Sequence, residues 1–471
     1  MTSSDLLVEA LIGITTPLRI LGKATEALAA RDQAIGVLDA RGDHTSLLRA
    51  RAGANSVSYL SRDPERELAL VRSALALFES RYPNDPGRFA ATVVLAQVHR
   101  AQGYWTPAEK YFREAIALFP QVGSKDYVNF AAAHAWAAFC ASRDGRIEHA
   151  LRDFDVGIRL LDEHSGANAL LTRFHRGLYA QTLHVAGRRD ESHRIFDELE
   201  RTADRAKPNA VDFDNAIYHA DAWVSEGRPQ KAIPLLESYA DRHVELGKRF
   251  IPSGVRWATL LAKAHAMLGH ANKAQTALKR VDDLPNQYSI PPQQLVDYKS
   301  DISWILLADR RFAEANAVLK FGEDHPNGNT ESFNLAYVRL NIRAAEIAYR
   351  SGDHAFALTR ADLALKHLSE RADPRMLPYL QAAALKARGD ALLGTGDAAA
   401  AAKTLDTAVA SLRPLQDATS PWLADALVSS ALAYRALGQS APAGAMEAEA
   451  RNILRQSSSF SAVFTARLTP L

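Results

Sequence analysis

The sequence predicts an all-α fold, an α-α superhelix built as a solenoid of about eleven helical hairpins. Three observations support this prediction. The chain has 471 residues, which is too many for one compact core. Glycine, or arginine in its place, recurs at intervals of 40 to 44 residues from Gly22 to Gly438. Alanine stands five residues after most of these positions. Such a period is typical of an array in which each repeat packs on its neighbours.

Each repeat reads as two amphipathic helices joined by a turn. Apolar residues at three- and four-residue intervals place an apolar stripe on one face of each helix. A turn residue with positive φ ends the first helix, and glycine adopts that conformation without steric cost. Arg62 and Arg310 predict two first helices that end without a glycine. The turn positions are Gly22, Arg62, Gly103, Gly145, Gly187, Gly227, Gly269, Arg310, Gly352, Gly396 and Gly438.

Small residues in the second helix predict close approach of the two helices. Residues twelve positions after the turn are again mostly small, and large apolar residues stand nine positions after it, where they fill the groove between helices. Glu67 and Ser192 are the exceptions at the fifth position. The alanines at that position are Ala27, Ala108, Ala150, Ala232, Ala274, Ala315, Ala357, Ala401 and Ala443.

One block, residues 91–120, carries a family resemblance. Its Ala96, Gly103, Ala108, Ala115 and Pro120 match the small, glycine and proline positions of the tetratricopeptide repeat (TPR). The resemblance extends over about residues 8–455, with repeats about eight residues longer than the standard unit of about 34. The repeats are similar to those of kinesin light chains and to the TPR regions of bacterial Ser/Thr kinases and transcription regulators. The TPR-like solenoid is therefore the expected architecture.

Prolines suggest where this array is divided. Pro285, Pro291 and Pro292 cluster between two repeats, and proline does not fit inside a helix. We therefore expect an N-terminal array of about seven repeats over residues 1–290 and a C-terminal array of about four over residues 291–455. The tail, residues 456–471, has lost the repeat. It either caps the last hairpin with Phe460 and Phe464 or is disordered.

Composition narrows the class of protein. Lys and Arg total 56 and Asp and Glu total 54, so the net charge of +2 gives no bulk attraction to nucleic acid or to an acidic membrane. Cys140 is the single cysteine, which excludes an internal disulfide and suggests a buried thiol. The N-terminus has no secretory pattern, and no apolar run is long enough to span a membrane. These features predict a cytoplasmic protein.

Motifs for catalysis, metal or cofactor binding are not found. The glycine-rich segment 389–396 has no lysine at the phosphate-binding position, and no zinc, calcium or kinase motif occurs. The chain has 15 histidines, and His175, His184 and His193 follow at intervals of nine, which does not place them on one helical face. We therefore expect no enzyme activity, no cofactor and no metal site.

The TPR resemblance implies a binding surface. In that family the first helix of each hairpin lines a concave groove, here at positions 13, 10, 6 and 3 before each turn. Aromatic, arginine and amide side chains at such positions are typical anchors of peptide partners. Phe139 and Phe174 could instead only pack on a neighbouring helix, and Arg49 and Arg100 could be solvated. The candidate residues are Arg49, Tyr59, Gln97, Arg100, Phe139, Phe174, Gln181 and His184.

Two functions follow from this interpretation. The first is a non-enzymatic scaffold that binds a peptide or partner protein in the groove. The alternative is a sensory module of a bacterial signalling protein that binds a small ligand or relays a signal. Acidic residues interrupt the groove positions, which argues against a continuous phosphate-binding stripe and hence against nucleic acid. The oligomeric state stays open.

Overall fold

The computed structural model describes residues 2–20, 23–55, 63–205, 207–249, 251–281, 292–324, 335–371, 373–455 and Phe464. These residues form α-helices and one short 3₁₀ turn, and no strand occurs among them. The chain divides into two compact units. Unit 1 comprises Met1–Ser142 and His149–His175, and unit 2 comprises Arg143–Glu148 and Arg176–Leu471. The predicted boundary near residue 290 lies outside the described residues and stays a prediction, as does any role of Tyr59 or Phe460.

The helices formed by the described residues pair into eleven successive hairpins, as the repeat predicts. The first helices are α1 (Ser3–Ile20), α3 (Leu47–Ala54), α5 (Gly87–Ala101), α7 (Tyr127–Arg143), α9 (Leu170–Val185), α11 (Ala210–Ser225), α14 (Ile251–Met267), α16 (Pro292–Ala308), α18 (Leu335–Arg350), α20 (Pro378–Gly394) and α22 (Pro421–Ala436). The second helices are α2 (Ala24–Ala40), α4 (Pro64–Arg81), α6 (Trp105–Gln121), α8 (Ile147–Ser165), α10 (Arg189–Arg201), α12 (Pro229–Glu237), α15 (Ala271–Lys279), α17 (Phe312–Asp324), α19 (His354–Arg371), α21 (Ala398–Leu412) and α23 (Ser440–Arg455). One further short helix, α13 (His243–Arg249), was not predicted by the repeat.

The turns confirm the chosen repeat register. Every predicted turn position within the described residues has a positive φ, from 60° at Arg310 to 91° at Gly396. At Gly103 the chain closes the helix in the usual way, because the N–H of Tyr104 donates to the carbonyl of His99 at 3.0 Å. Arg310 adopts the same conformation without being glycine. Gly22 and Arg62 lie outside the described residues.

The alanines five positions after the turn are the contact points between paired helices. All nine are at most 2% exposed. The small residues of the second helix are equally tight: a Cβ on Gly157 would meet the backbone nitrogen of Ala135, on the first helix of the same hairpin, at 2.7 Å. The large residues at the ninth position, such as Phe112 and Phe154, are fully buried between the helices. The spacing rule therefore sets the packing.

At both positions where another residue replaces the alanine, the buried polar side chain is satisfied by hydrogen bonds. Ser192 is fully buried, and its hydroxyl donates to the carbonyl of Ala180 at 2.8 Å, so a polar residue fits the close contact. Glu67 is 1% exposed, and Nη1 of Arg31 donates to both of its carboxylate oxygens, at 2.8 and 2.6 Å. Burial alone would lower the pKa of Arg31, but the bonds to Glu67 outweigh it and raise that pKa. Unit 1 therefore contains a buried ion pair.

Unit 2 closes on itself. The segment before α22 contacts the turn between α11 and α12: Gln416 Nε2 donates to the carbonyl of Ser225 at 3.0 Å, and the Asp417 N–H donates to the carbonyl of Glu226 at 3.2 Å. The indole N–H of Trp422 donates to the carbonyl of Val224 at 3.1 Å. The last hairpin of unit 2 thus binds the edge of a hairpin near its start.

Candidate functional site

The first helices of unit 1 present a group of partly buried aromatic, amide and guanidinium side chains on one face. We call it the Trp136 patch; it consists of Gln97, Arg100, Trp136, Phe139 and Phe174. The guanidinium carbon of Arg100 lies 4.0 Å from the centroid of the Trp136 ring. Its Nε donates to Oε1 of Gln97 at 2.7 Å. A cation this close to an indole ring is attracted by the ring electrons.

Trp136 is the centre of the patch. Its ring lies 5.9 Å from that of Phe139 and 5.6 Å from that of Phe174, so helices α7 and α9 contribute neighbouring rings. Below them, His175 is fully buried, with its ring 4.8 Å from Trp136. Burial first, and the charge of Arg100 second, lower the pKa of His175 to about 3. His175 is therefore a neutral side chain buried in contact with Trp136.

Three described candidate residues from the sequence lie outside this patch. Arg49 donates to Asp39 Oδ1 at 2.7 Å, so it is engaged in an ion pair. Gln181 is partly buried on α9. His184 is buried, its ring stacks on Tyr379 at 4.7 Å, and its Nδ1 lies 3.5 Å from a Glu226 oxygen. Tyr59 lies outside the described residues. A binding role for these four stays a prediction.

Charged groove positions of unit 2 pair with one another between neighbouring first helices. Asp221 on α11 binds Arg256 on α14 at 2.6 Å. Asp297 on α16 binds both Arg339 on α18 and Arg143, each at 2.8 Å. Burial alone would raise the pKa of Asp297, yet the neighbouring guanidinium groups hold it below its ordinary value. The acidic residues that interrupt the groove sequence thus neutralise its basic ones.

A second polar cluster surrounds Glu226 in unit 2. This carboxylate is fully buried and receives bonds from Arg189 Nη2 and His193 Nε2, each at 2.8 Å. Burial alone would raise the pKa of Glu226, but bonds from His184, His193 and Arg189 outweigh it and lower that pKa. The other ring nitrogen of His193 lies 3.1 Å from Nε2 of His219. Since Arg189 also reaches the carbonyl of Gln416 at 3.3 Å, the cluster supports the closure of unit 2.

Comparison with known proteins gives a likeness of fold only. No known family profile matches the chain, and no curated protein matches it significantly. Solved structures do match. A Podosopora anserina putative kinesin light chain with nearly identical TPR-like repeats is 13% identical, over 43% of this chain and 96% of that one, with a TM-score of 0.36. The APC/C hetero-tetramer Cut9–Hcn1 is 12% identical, over 100% and 96%, with a TM-score of 0.45. A human IFIT1 dimer with m7Gppp-AAAA is 13% identical, over 96% and 91%, with a TM-score of 0.45.

The chain's own hairpins decide its type, through the positive φ at each described turn and the buried alanine five residues later. The fold is an all-α array of TPR-like helical hairpins. The solved neighbours are too distant in sequence for their roles to be carried over to this chain.

Some side chains of the candidate site and of the Glu226 cluster were missed from sequence. Trp136 is not at one of the four groove positions, although its place three residues before Phe139 puts it on the same helical face. The convergence of His184 and His193 on Glu226 was also missed, because they were compared as residues of one helix. They belong to the two helices of one hairpin, on either side of the turn at Gly187.

Among the described residues, no group of three or more His, Cys, Asp or Glu side chains is arranged to hold a metal ion. None of the helices they form is both long and apolar enough to cross a membrane. Cys140 is fully buried, as the sequence predicts for a structural thiol.

Proposed function

We propose that this chain is an interaction scaffold that binds an extended peptide segment of a partner protein on the Trp136 patch. The observation that supports it is the grouping of three aromatic side chains, an amide and a guanidinium from successive first helices on one face. Tryptophan and arginine are enriched among the residues that carry most of the binding energy of protein interfaces. A rigid aromatic ring such as that of tryptophan buries a large area with little loss of rotamer freedom.

The chemistry of the patch defines the class of peptide. Partly exposed rings at Trp136, Phe139 and Phe174 suit an apolar side chain, and each such contact adds to the area removed from water. The guanidinium of Arg100, next to the Trp136 ring, supplies a positive charge that suits a carboxylate of the peptide. The preferred ligand is therefore an extended peptide with an acidic residue close to an apolar one.

A peptide-display selection against the intact chain tests this function. Peptides enriched on the wild type are measured against Arg100→Glu and against the control Lys110→Glu, a charge reversal at an exposed position of the neighbouring helix α6. We expect Arg100→Glu to weaken binding roughly tenfold or more, because it removes the carboxylate partner and adds repulsion. Lys110→Glu should leave the affinity unchanged. Equal affinities of the two variants, with unchanged helical circular dichroism, would rule the patch out as the binding site.

A second function, small-ligand sensing, is supported by one feature of unit 2. The paired groove residues keep access to solvent: the side chains of Asp221, Arg256 and Arg339 are 33%, 28% and 33% exposed. Paired charges with such access suit a small ligand that carries both signs of charge. A thermal-shift screen with amino acids and other zwitterionic metabolites tests it, since a ligand bound by the folded state alone raises the melting temperature. If no compound raises the melting temperature, small-ligand sensing is refuted and the peptide scaffold remains the proposed function.

A further inference from the structure

The first helix of unit 1, α1, has an apolar face that no described part of the chain covers. Leu6, Leu7 and Ile14 are 54%, 44% and 46% exposed, and they are three of the seven large apolar side chains that are exposed among the described residues. A Cβ on Gly13 would meet no atom within 4 Å. Because residues three and four apart share one side of a helix, these exposed positions form one surface. We call it the α1 face; it consists of Leu6, Leu7, Ala10, Gly13, Ile14 and Pro17, all exposed.

In the other hairpins the equivalent surface of the first helix is buried. The residue twelve positions before the turn is at most 8% exposed in each of them, whereas Ala10, at the same position of α1, is exposed. The outer hairpin of an array usually carries a polar surface, but α1 keeps an apolar surface of the kind that an internal repeat buries. The buried residues at this position are Ala50, Ala91, Ala133, His175, Asn215, Trp257, Tyr298, Leu340, Ala384 and Ala426.

The contacts of α5 show what covers this surface inside the array. Ala91, at the position of Ala10, packs in one apolar cluster with Phe78 of α4, the second helix of the preceding hairpin. Leu95, at the position of Ile14, belongs to another cluster with residues of the same helix α4. The occupant that the α1 face lacks is therefore an apolar helix.

The α1 face itself has the properties of that occupant. Ala10 and Gly13 near its middle let a second helix backbone approach closely. Glu9, on the N-terminal half of α1, and Lys23, after its C-terminal end, are both exposed. The bond from Lys23 to Glu26 is an exposed one, which another carboxylate can replace at little cost. Two antiparallel copies of α1 therefore place the acidic half of each beside the basic end of the other, with opposed helix dipoles, whereas parallel copies would place like charges together.

We propose that the α1 face is the interface of a homodimer, in which the α1 helices of two copies of this chain pack antiparallel about a two-fold axis. Each copy then supplies the apolar helix that a preceding hairpin supplies elsewhere in the array. A two-fold axis is the commonest symmetry of soluble homo-oligomers, and it requires a surface that complements itself. This inference does not rest on peptide binding at the Trp136 patch or on small-ligand sensing.

The test measures the mass of the full chain in solution by sedimentation velocity at increasing protein concentration. Ile14→Glu places a charge on the α1 face. Phe356→Glu is the matched control, because Phe356 on α19 is 44% exposed and Ile14 is 46% exposed. Far-ultraviolet circular dichroism reports whether each variant is folded. A second pair of variants, Glu9→Lys alone and Glu9→Lys combined with Lys23→Glu, tests the orientation of the two helices.

We expect wild type to sediment as a dimer at micromolar concentration. Ile14→Glu should raise the dissociation constant of the dimer roughly hundredfold, because a two-fold interface receives each substitution twice and each buried charge costs about tenfold. Phe356→Glu should leave the dissociation constant unchanged. Glu9→Lys should weaken the dimer, and the addition of Lys23→Glu should restore it, because the exchanged charges again lie opposite each other in an antiparallel pair.

Three results would overturn the inference. The first is a wild type that stays monomeric at every concentration. The second is a folded Ile14→Glu chain that dimerises as well as Phe356→Glu does, which would place any dimer contact on another surface. The third is a double variant of Glu9 and Lys23 that dimerises no better than Glu9→Lys alone, which would exclude the antiparallel arrangement.

Discussion

Replacing Arg310 with glycine is expected to stabilise the hairpin of α16 and α17. Arg310 has a φ of 60°, in the region that glycine favours, and it is the single non-glycine residue with a positive φ among the described residues. The turn has the same bonds as its glycine counterparts: the N–H of Arg310 donates to Leu307 and that of Arg311 donates to Leu306, at 3.0 and 2.9 Å. The exposed side chain of Arg310 gains no visible compensation for this backbone conformation.

The size of the effect comes from two opposing quantities. A left-handed conformation costs a non-glycine residue about 1–2 kcal/mol. Glycine loses more backbone entropy on folding, which offsets about 0.5–1 kcal/mol of that gain. The free energy of unfolding of the hairpin should therefore rise by about 0.5–1 kcal/mol in Arg310→Gly.

Native-state hydrogen exchange is the suitable assay, because repeats of an array can open one by one and a global midpoint would average over them. Two controls separate backbone from side chain. Arg310→Ala removes the side chain and keeps the strain, so exchange in α16 and α17 should not change. Gly352→Ala, at φ 89° with open space around the added Cβ, should destabilise its own hairpin by about 1 kcal/mol. If Arg310→Gly exchanges no more slowly than Arg310→Ala, the strain at this turn is not real.

Two further predictions concern the closure of unit 2 and the acid stability of unit 1. In Gly227→Ala the new Cβ would clash with Ser420, whose Cα would lie 2.8 Å away, whereas the Cβ in Gly396→Ala meets no atom within 4 Å. Gly227→Ala should therefore lower the free energy of unfolding, measured in urea, by about 2 kcal/mol more than Gly396→Ala does. Equal losses in the two variants would contradict the closure of unit 2. His175 is held neutral with a pKa near 3, against 6.5 when exposed, so its contribution is complete above pH 6.5 and falls as the pH drops toward 3. About 2 kcal/mol should be lost by pH 5, and His175→Leu should abolish that part of the pH dependence.

The repeat could be predicted from sequence because its cause is local. The turn at Gly103 and the contact at Ala108 follow from residues within one hairpin, and the same rule applies to each copy. The exceptions at Glu67 and Ser192 were visible as departures, but their partners were not. Arg31 lies on another hairpin, and no spacing rule relates the two positions.

The candidate site was predicted less completely for the same reason. Gln97, Arg100, Phe139 and Phe174 were found because groove positions repeat, and the structure brings them together. Trp136, which joins them, was missed because it lies between those positions. The closure of unit 2 depends on Gln416 and Trp422, which follow no repeat pattern.

The closure of unit 2 has a consequence for its biosynthesis. The bond between Gln416 and Ser225 joins residues 191 positions apart, whereas contacts between neighbouring hairpins join residues about one repeat apart. At a translation rate of about 5–20 residues per second, the ribosome needs roughly 10 to 40 seconds to make the chain between them. Throughout that interval the turn between α11 and α12 lacks the segment around Gln416 that contacts it. The completion of unit 2 is therefore timed by the synthesis of its last hairpin, although the earlier hairpins can fold as they emerge.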